Sequence, residues 1–276
     1  MENDLGFQYL KRKVISKGLN CTGYKEDFLR RRLEGRMRLR GVSSYLDYAR
    51  YMDKNPSEFE QLLDALTINV SEFFRDSTVW SALQTKILPL ILMKNRASSD
   101  KKLRVWSAAC ADGEEPYTIA IILREALSLG EKLNVEIMAT DIDEDSLKRA
   151  REGTYSFERL RSVKQSVLRR YFTSPDNRKF RISDEIKQMV TFKQHDLSAP
   201  PPSHSFDIIS CRNVMIYFSR DMQQRLLRSF YEALSPGGYL ILGKVESPIG
   251  DASFLFKSAD LIERIYQRPK EVLVSP

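Results

Sequence analysis

The sequence predicts an α/β protein in which a doubly wound, mostly parallel sheet carries a small inserted antiparallel β-subdomain and follows an all-α N-terminal domain. Three observations predict it. Residues 1 to about 70 show helical periodicity alone. Strand-like runs then alternate with amphipathic helices through 103–129, 134–151 and 206–234. One interval, about 160–195, interrupts that alternation with an extended–turn–extended pattern. The chain divides on this reading into 1–75 and 76–276, and its 276 residues are enough for full cores in both parts.

In the first part, Phe28, Leu29, Leu33 and Met37, then Phe59, Leu62, Leu63 and Leu66, recur at the spacing of a buried helix face. Breaks at Gly18–Gly23, Gly41–Ser43 and Asn55–Pro56 separate four helices. Ser43 and Asn55 suit N-caps, and Pro56 suits a first helical position. A single amphipathic helix over 76–95 follows, closed by the polar stretch 97–102. Strand 103–109 then leads to helix 114–129, strand 134–140 to helix 143–151, and strand 206–211 to helix 220–234. Strand 238–243 follows the turn Ser235-Pro236-Gly237, and the pieces 254–256 and 261–266 suit an antiparallel pair that ends the sheet. Between them, 170–182 reads as a hairpin and 189–194 as a further extended run.

Composition narrows the function. No apolar run approaches the roughly 20 residues of a membrane span, and the N-terminus lacks a signal-peptide layout. Cys21, Cys110 and Cys211 are odd in number and far apart, and His195 and His204 lack ligand spacing, so neither a disulfide framework nor a metal site is expected. These features suit a cytoplasmic protein. The net charge of +7 is concentrated in Tyr24–Arg40, which holds seven basic residues against three acidic ones. Such a helix suits an acidic partner, nucleic acid or an anionic surface, or is simply a solvated face.

The most informative stretch is VWSAACADGEEPYTIAIIL, 105–123. A β-branched and aromatic run stops at small residues, and Asp112 to Pro116 open a helix. This is a strand, a tight turn and a helix N-terminus, where α/β sheets bind nucleotide-like ligands. The turn lacks phosphate-loop glycines and carries carboxylates, which would repel a pyrophosphate but suit a cationic adenosyl sulfonium. Asp141 ends the next strand, about 26 residues after Glu115, where a carboxylate can accept from both hydroxyls of a ribose, or can merely cap the following helix. In ISCRNVMIYF, 209–218, Arg212, Asn213 and Tyr217 follow the third strand, with Asn213 and Tyr217 one helical turn apart. In TINVSEFFRDSTVW, 67–80, Asn69 and Ser71 are cap-type residues, Phe73 and Phe74 suit the core, Arg75 is a candidate functional cation and Asp76 a cap.

Through NVSEFFRD, WSAACADGEEPYTIA, ATDIDEDSLKRAREGTY and FDIISCRNVMIYFSRDMQQ, the chain resembles chemotaxis receptor methyltransferases of the CheR type over nearly its whole length. The resemblance implies a class I methyltransferase (Rossmann-like) fold that uses S-adenosylmethionine and no metal, with the helical domain covering the pocket. Its cofactor-binding positions fall on Asn69, Ser71, Arg75, Glu115, Asp141, Asp196, Leu197, Arg212 and Asn213. Arg75 and Tyr217 match the positions nearest the transferred methyl group. Three positions depart from the family pattern. Ser71 replaces a common Thr, Ala111-Asp112 replaces Ser-Thr and adds a charge near the cofactor, and Asp196 replaces an Asn.

The implied reaction esterifies glutamates of methyl-accepting chemotaxis receptors and leaves S-adenosylhomocysteine. A glutamate with a pKa near 4.3 is already ionised at neutral pH, so no general base is required. The basic helix around Arg30–Arg40 would then steer the enzyme to glutamate-rich receptor helices. The short, glycine-free connection TSPDNRK between Phe172 and Phe180 argues against docking of a receptor tail peptide on the inserted hairpin. The competing readings are a nucleic-acid methyltransferase, against which the absence of a Pro-Pro-aromatic motif after Asn213 counts, and a non-catalytic cofactor-sensing adaptor.

Overall fold

The computed structural model describes residues 2–66, 71–98, 101–127, 133–174 and 178–270. They form two compact units, Met1–Ile68 with Tyr217–Gln223, and Asn69–Ile216 with Gln224–Pro276.

The first unit holds α1 (Glu2–Ser16), α2 (Glu26–Leu39), α3 (Tyr45–Lys54) and α4 (Ser57–Leu66). α2 buries Phe28, Leu29, Leu33 and Met37, the face its spacing predicts. Two expected caps move. Ser44, not Ser43, caps α3 by accepting from the Asp47 amide at 3.1 Å. The Asn55 side chain turns back to donate to the Tyr51 carbonyl (2.9 Å), so it closes α3 and does not cap α4. Helical periodicity gave no sign of Glu58, which is 1 % exposed. Its carboxylate accepts from Arg36 (2.9 Å), Arg40 (2.7 Å) and the Tyr48 hydroxyl (2.7 Å), the partners that make its burial tolerable. The segment 217–223 joins this unit: Lys25 donates to the Tyr217 carbonyl (2.9 Å), and the Tyr217 ring lies 4.9 Å from Phe28.

The second unit begins with α5 (Ser77–Ala82), a π-helical turn (Leu83–Ile87) and α6 (Leu88–Arg96), where one uninterrupted helix was expected. Pro89 explains the wider turn. It cannot donate to residue 85, and its ring would crowd that carbonyl in a regular α-helix. Then come β1 (Lys102–Ala108), α7 (Glu114–Ala126), β2 (Asn134–Asp141), α8 (Glu144–Glu152) and β3 (Thr154–Ser156). After a 3₁₀ turn at Phe157–Leu160 follow α9 (Gln165–Tyr171), β4 (Phe172–Thr173), β5 (Lys179–Ile182), α10 (Asp184–Lys187) and β6 (Val190–Gln194). β7 (Phe206–Cys211), α11 (Arg220–Ala233), β8 (Leu234–Leu242), β9 (Lys257–Asp260) and β10 (Ile265–Gln267) complete the chain.

The large sheet has the order β6-β2-β1-β7-β8-β10-β9. Its pairings from β6 to β8 are parallel, and β10 runs antiparallel to both neighbours. The order reverses beside β1, so the carboxyl ends of β1, β2 and β7 frame the crevice where such sheets take ligands. A second, antiparallel sheet has the order β3-β5-β4. It gains the three-residue β3, upstream of the expected insertion, while 190–194 pairs with β2 in the large sheet. β8 starts at Leu234 and passes through a register irregularity, where a turn at 235–237 had been expected to precede it. Gly238 has to lack a side chain there, since a Cβ would come within 2.9 Å of the Phe206 carbonyl oxygen. Trp106, 1 % exposed, anchors the core, its indole donating to Thr140 at 2.9 Å so that no buried N–H goes unpaired. Cys21, Cys110 and Cys211 are free and buried.

Candidate active site

The turn after β1 is built in left-handed backbone. Ala109 has φ 60, Ala111 φ 48 and Gly113 φ 92. Left-handed geometry costs an L-residue about 1–2 kcal/mol, so two alanines held this way mark a turn fixed by its surroundings. Gly113 is required, because a Cβ there would come within 2.9 Å of the Ala150 side chain. What holds the turn is Asp141, the last residue of β2 and 7 % exposed. One carboxylate oxygen accepts from the Ala111 amide (2.8 Å) and the other from the Asp143 amide (3.0 Å). Asp143 itself caps α8, so Asp141 does not serve as that helix's cap. Burial pushes the Asp141 carboxyl up from its ordinary value, and the Asp143 and Ala111 amides pull it back.

Glu115 in the first turn of α7 accepts from the Ser107 hydroxyl at 2.9 Å, and its other oxygen faces Arg212 at 3.4 Å. Arg212, 8 % exposed at the end of β7, reaches across to Asp76 (2.7 Å) and to the Arg75 carbonyl (3.2 Å), and lies 4.9 Å over the Trp80 ring. Asp76 therefore holds Arg212 and makes no side-chain cap for α5, contrary to its sequence reading. Trp80 also donates to the Arg75 carbonyl (2.8 Å), which fixes that residue's backbone. Phe73 is fully buried, edge-on to Tyr155 and Phe172, and Phe74 packs half-buried against the same core.

Asn213 stands in left-handed backbone (φ 61), followed only by a short 3₁₀ turn at Met215–Tyr217. The expected α-helical face shared by Asn213 and Tyr217 does not form, and Tyr217 packs within the helical unit. After β6, Asp196 accepts from the Ser198 amide (2.8 Å), and Leu197 beside it is half-buried. Asn69 lies outside the described residues, and the carbonyl of half-buried Ser71 accepts from Arg159 at 3.1 Å.

Sequence reasoning missed Arg159 and the acidic pair it serves. Asp112, expected to add a charge near the cofactor, has its carboxylate paired with Arg149 (2.9 Å) and Arg159 (3.1 Å). Arg159 also pairs with Glu114, which is 0 % exposed. Burial raises the Glu114 carboxyl from 4.5 to about 7, with the Arg159 charge only partly opposing it and Asp112 adding to the rise. A folded-state value above the unfolded one gives stability that is full below pH 4.5 and is lost as pH rises through about 7. Replacing Glu114 by Gln is expected to remove a decline of up to about 3 kcal/mol across that window. Thermal melts of both proteins from pH 4.5 to 8 check this; parallel curves would refute it.

A doubly wound parallel sheet with acceptor carboxylates at the carboxyl ends of two adjacent strands defines the class, a nucleoside-binding methyltransferase fold. The chain belongs to the CheR methyltransferase family. Residues 69–260 match the CheR methyltransferase SAM binding domain, and residues 9–67 match the CheR methyltransferase all-alpha domain. It is similar to Chemotaxis protein methyltransferase 2 of Pseudomonas aeruginosa, with 35 % identity covering 91 % of this chain and 89 % of that protein. The Chemotaxis protein methyltransferase of Borreliella burgdorferi is 34 % identical, covering 85 % of this chain and 84 % of its own. An amino pentose methyltransferase structure from Micromonospora echinaspora overlaps at TM-score 0.31 and 15 % identity, covering 58 % of this chain and 50 % of that one, too loosely to bear on the reading.

The protein is an S-adenosylmethionine-dependent methyltransferase. The donor set fits that cofactor: buried Asp141 offers acceptor oxygens at a strand tip, beside a first turn built of small residues. Among the described residues, no group of three or more His, Cys, Asp or Glu could hold a metal ion, and no helix is long and apolar enough to cross a membrane.

Proposed function

We propose that the protein methylates glutamate side chains of methyl-accepting chemotaxis receptors in the cytoplasm, yielding glutamate methyl esters and S-adenosylhomocysteine. The observation that carries this reading is the buried Asp141 carboxylate joining the turns after β1 and β2, within a chain of the CheR family. S-adenosylmethionine supplies an electrophilic methyl on a sulfonium. The incoming glutamate donates the electron pair of the new O–C bond, and the sulfur keeps the pair of the broken C–S bond. Asp141 accepts from the ribose hydroxyls. Ser71, Glu115, Asp196, Leu197, Arg212 and Asn213 line the rest of the cofactor, together with Asn69. Arg75 orients the carboxylate through its planar fork, and Tyr217 positions it by hydrogen bonding. Orientation serves the reaction better than tight pairing, which would stabilise the ground state.

The test is transfer of a tritiated methyl group from the cofactor to a receptor cytoplasmic fragment. Base-labile label on glutamate is expected. Label on nucleic acid would favour a nucleic-acid methyltransferase, and no label on any acceptor a cofactor-sensing adaptor; either sinks the proposal.

Receptor recognition is assigned to α2, but to fewer of its arginines than the sequence offers. Arg36 and Arg40 serve Glu58, and Arg30 pairs with Glu26 and Asp4. Arg31 and Arg38 are exposed and available to acidic partners. Changing both to Glu is expected to slow receptor methylation about tenfold at low ionic strength, with the difference shrinking as salt rises. Equal rates at all salt concentrations would return α2 to a solvated face. The two-residue β4 and the short connection after it support the reading that no receptor tail peptide docks on the small sheet, which a binding titration checks.

A further inference from the structure

Glu246 is 4 % exposed, lies four residues beyond the end of β8, and has no part in the reaction outlined above. Its carboxylate gathers backbone amides from two loops at the carboxyl end of the sheet. One oxygen accepts from Gly243 (2.7 Å) and from Asn213 (2.9 Å), and the other from Ile216 (3.3 Å). A buried carboxylate with several amide donors is a strong, directional clamp, because each charge-assisted bond is made away from competing water. The clamp explains two local oddities. Asn213 is held in left-handed backbone immediately after Arg212, and Gly243 has no room for a side chain. A Cβ on Gly243 would come within 2.6 Å of the Glu246 oxygen and 2.9 Å of the Asn213 amide nitrogen.

We propose that Glu246 is a positioning residue for cofactor binding: by clamping the Gly243, Asn213 and Ile216 amides it sets the turn that presents Arg212 and Asn213 to the cleft. This rests on the reading that Arg212 and Asn213 contact the cofactor. The carboxylate touches neither cofactor nor substrate and acts only through that turn. Burial raises its carboxyl from the ordinary value while the clamped amides lower it, as expected for a carboxylate held by its donors.

Glu246→Gln keeps the shape but turns an NH2 group toward amides that need an acceptor. Its KM for S-adenosylmethionine and its Kd for S-adenosylhomocysteine are expected to rise about tenfold, with kcat within about twofold of wild type. Glu246→Asp, which keeps the charge on a shorter stem, is expected to recover part of the loss. Gly243→Ala disturbs the clamp from the other side with the carboxylate intact, and is expected to shift the same KM. In the unmodified protein, hydrogen exchange at the Asn213 and Gly243 amides is expected to slow further when S-adenosylhomocysteine is added. A lowered melting temperature with unchanged KM and Kd would overturn the inference, as would exchange at those amides that ignores the ligand. Failure of the unmodified protein to bind S-adenosylhomocysteine would instead sink the cofactor-site reading itself.

Discussion

Replacing Asp141 by Ala is expected to weaken binding of S-adenosylhomocysteine about 100-fold, because two hydrogen bonds from ribose hydroxyls to a charged acceptor are together worth about 3 kcal/mol. The same change leaves the Ala111 and Asp143 amides without their acceptor. A loss of stability of about 1–3 kcal/mol should therefore accompany it. The two effects separate experimentally. Titration calorimetry reads the first and thermal melting the second. Asp141→Asn, which keeps one acceptor oxygen, should fall between wild type and the Ala variant in both. A destabilised Ala variant that binds within threefold of wild type would reduce Asp141 to a brace between two turns.

Arg75→Ala should lower kcat/KM for receptor methylation by a factor of about 100–1,000, the range expected when a group that orients the reacting partner is lost. Cofactor affinity should change only a few-fold. The local backbone gives reason to expect a clean separation, because the Arg75 carbonyl is held by the Trp80 indole and by Arg212, neither of which involves the Arg75 side chain. Lys at this position keeps the charge but loses the planar fork, so it should restore little. Turnover equal to wild type would remove Arg75 from the mechanism.

The strand, turn and helix at 103–126 could be read from the sequence because each piece carries its own local signal: a β-branched run, small turn residues, then Glu-Glu-Pro at a helix start. The parallel alternation and the hairpin at 172–182 were legible for the same reason. Partnerships distant in sequence were not. Asp112 finds Arg149 and Arg159 far along the chain, and Glu58 collects Arg36, Arg40 and Tyr48 from two other helices, with nothing local to mark either carboxylate as buried. Asp76 looked like a cap because Asp commonly is one, yet Arg212 claims its side chain. The three residues of β3 are too few to show a period. Glu246 had no more than a glycine three residues earlier, at the end of the expected strand 238–243, which is a common arrangement and says little by itself. The π turn at Leu83–Ile87 was not read, because the apolar spacing over 76–95 suits an unbroken helix and a proline near a helix start is ordinary.

Two of the three thiols stand where β-strands end beside the crevice, Cys110 just past β1 and Cys211 closing β7, at 1 % and 0 % exposure. Enclosure drives both far toward the unreactive protonated form. An alkylating reagent can therefore reach them only during moments when that end of the sheet comes apart. The molecule thus carries a native clock for its own breathing, and a nucleoside seated in the cleft should slow it.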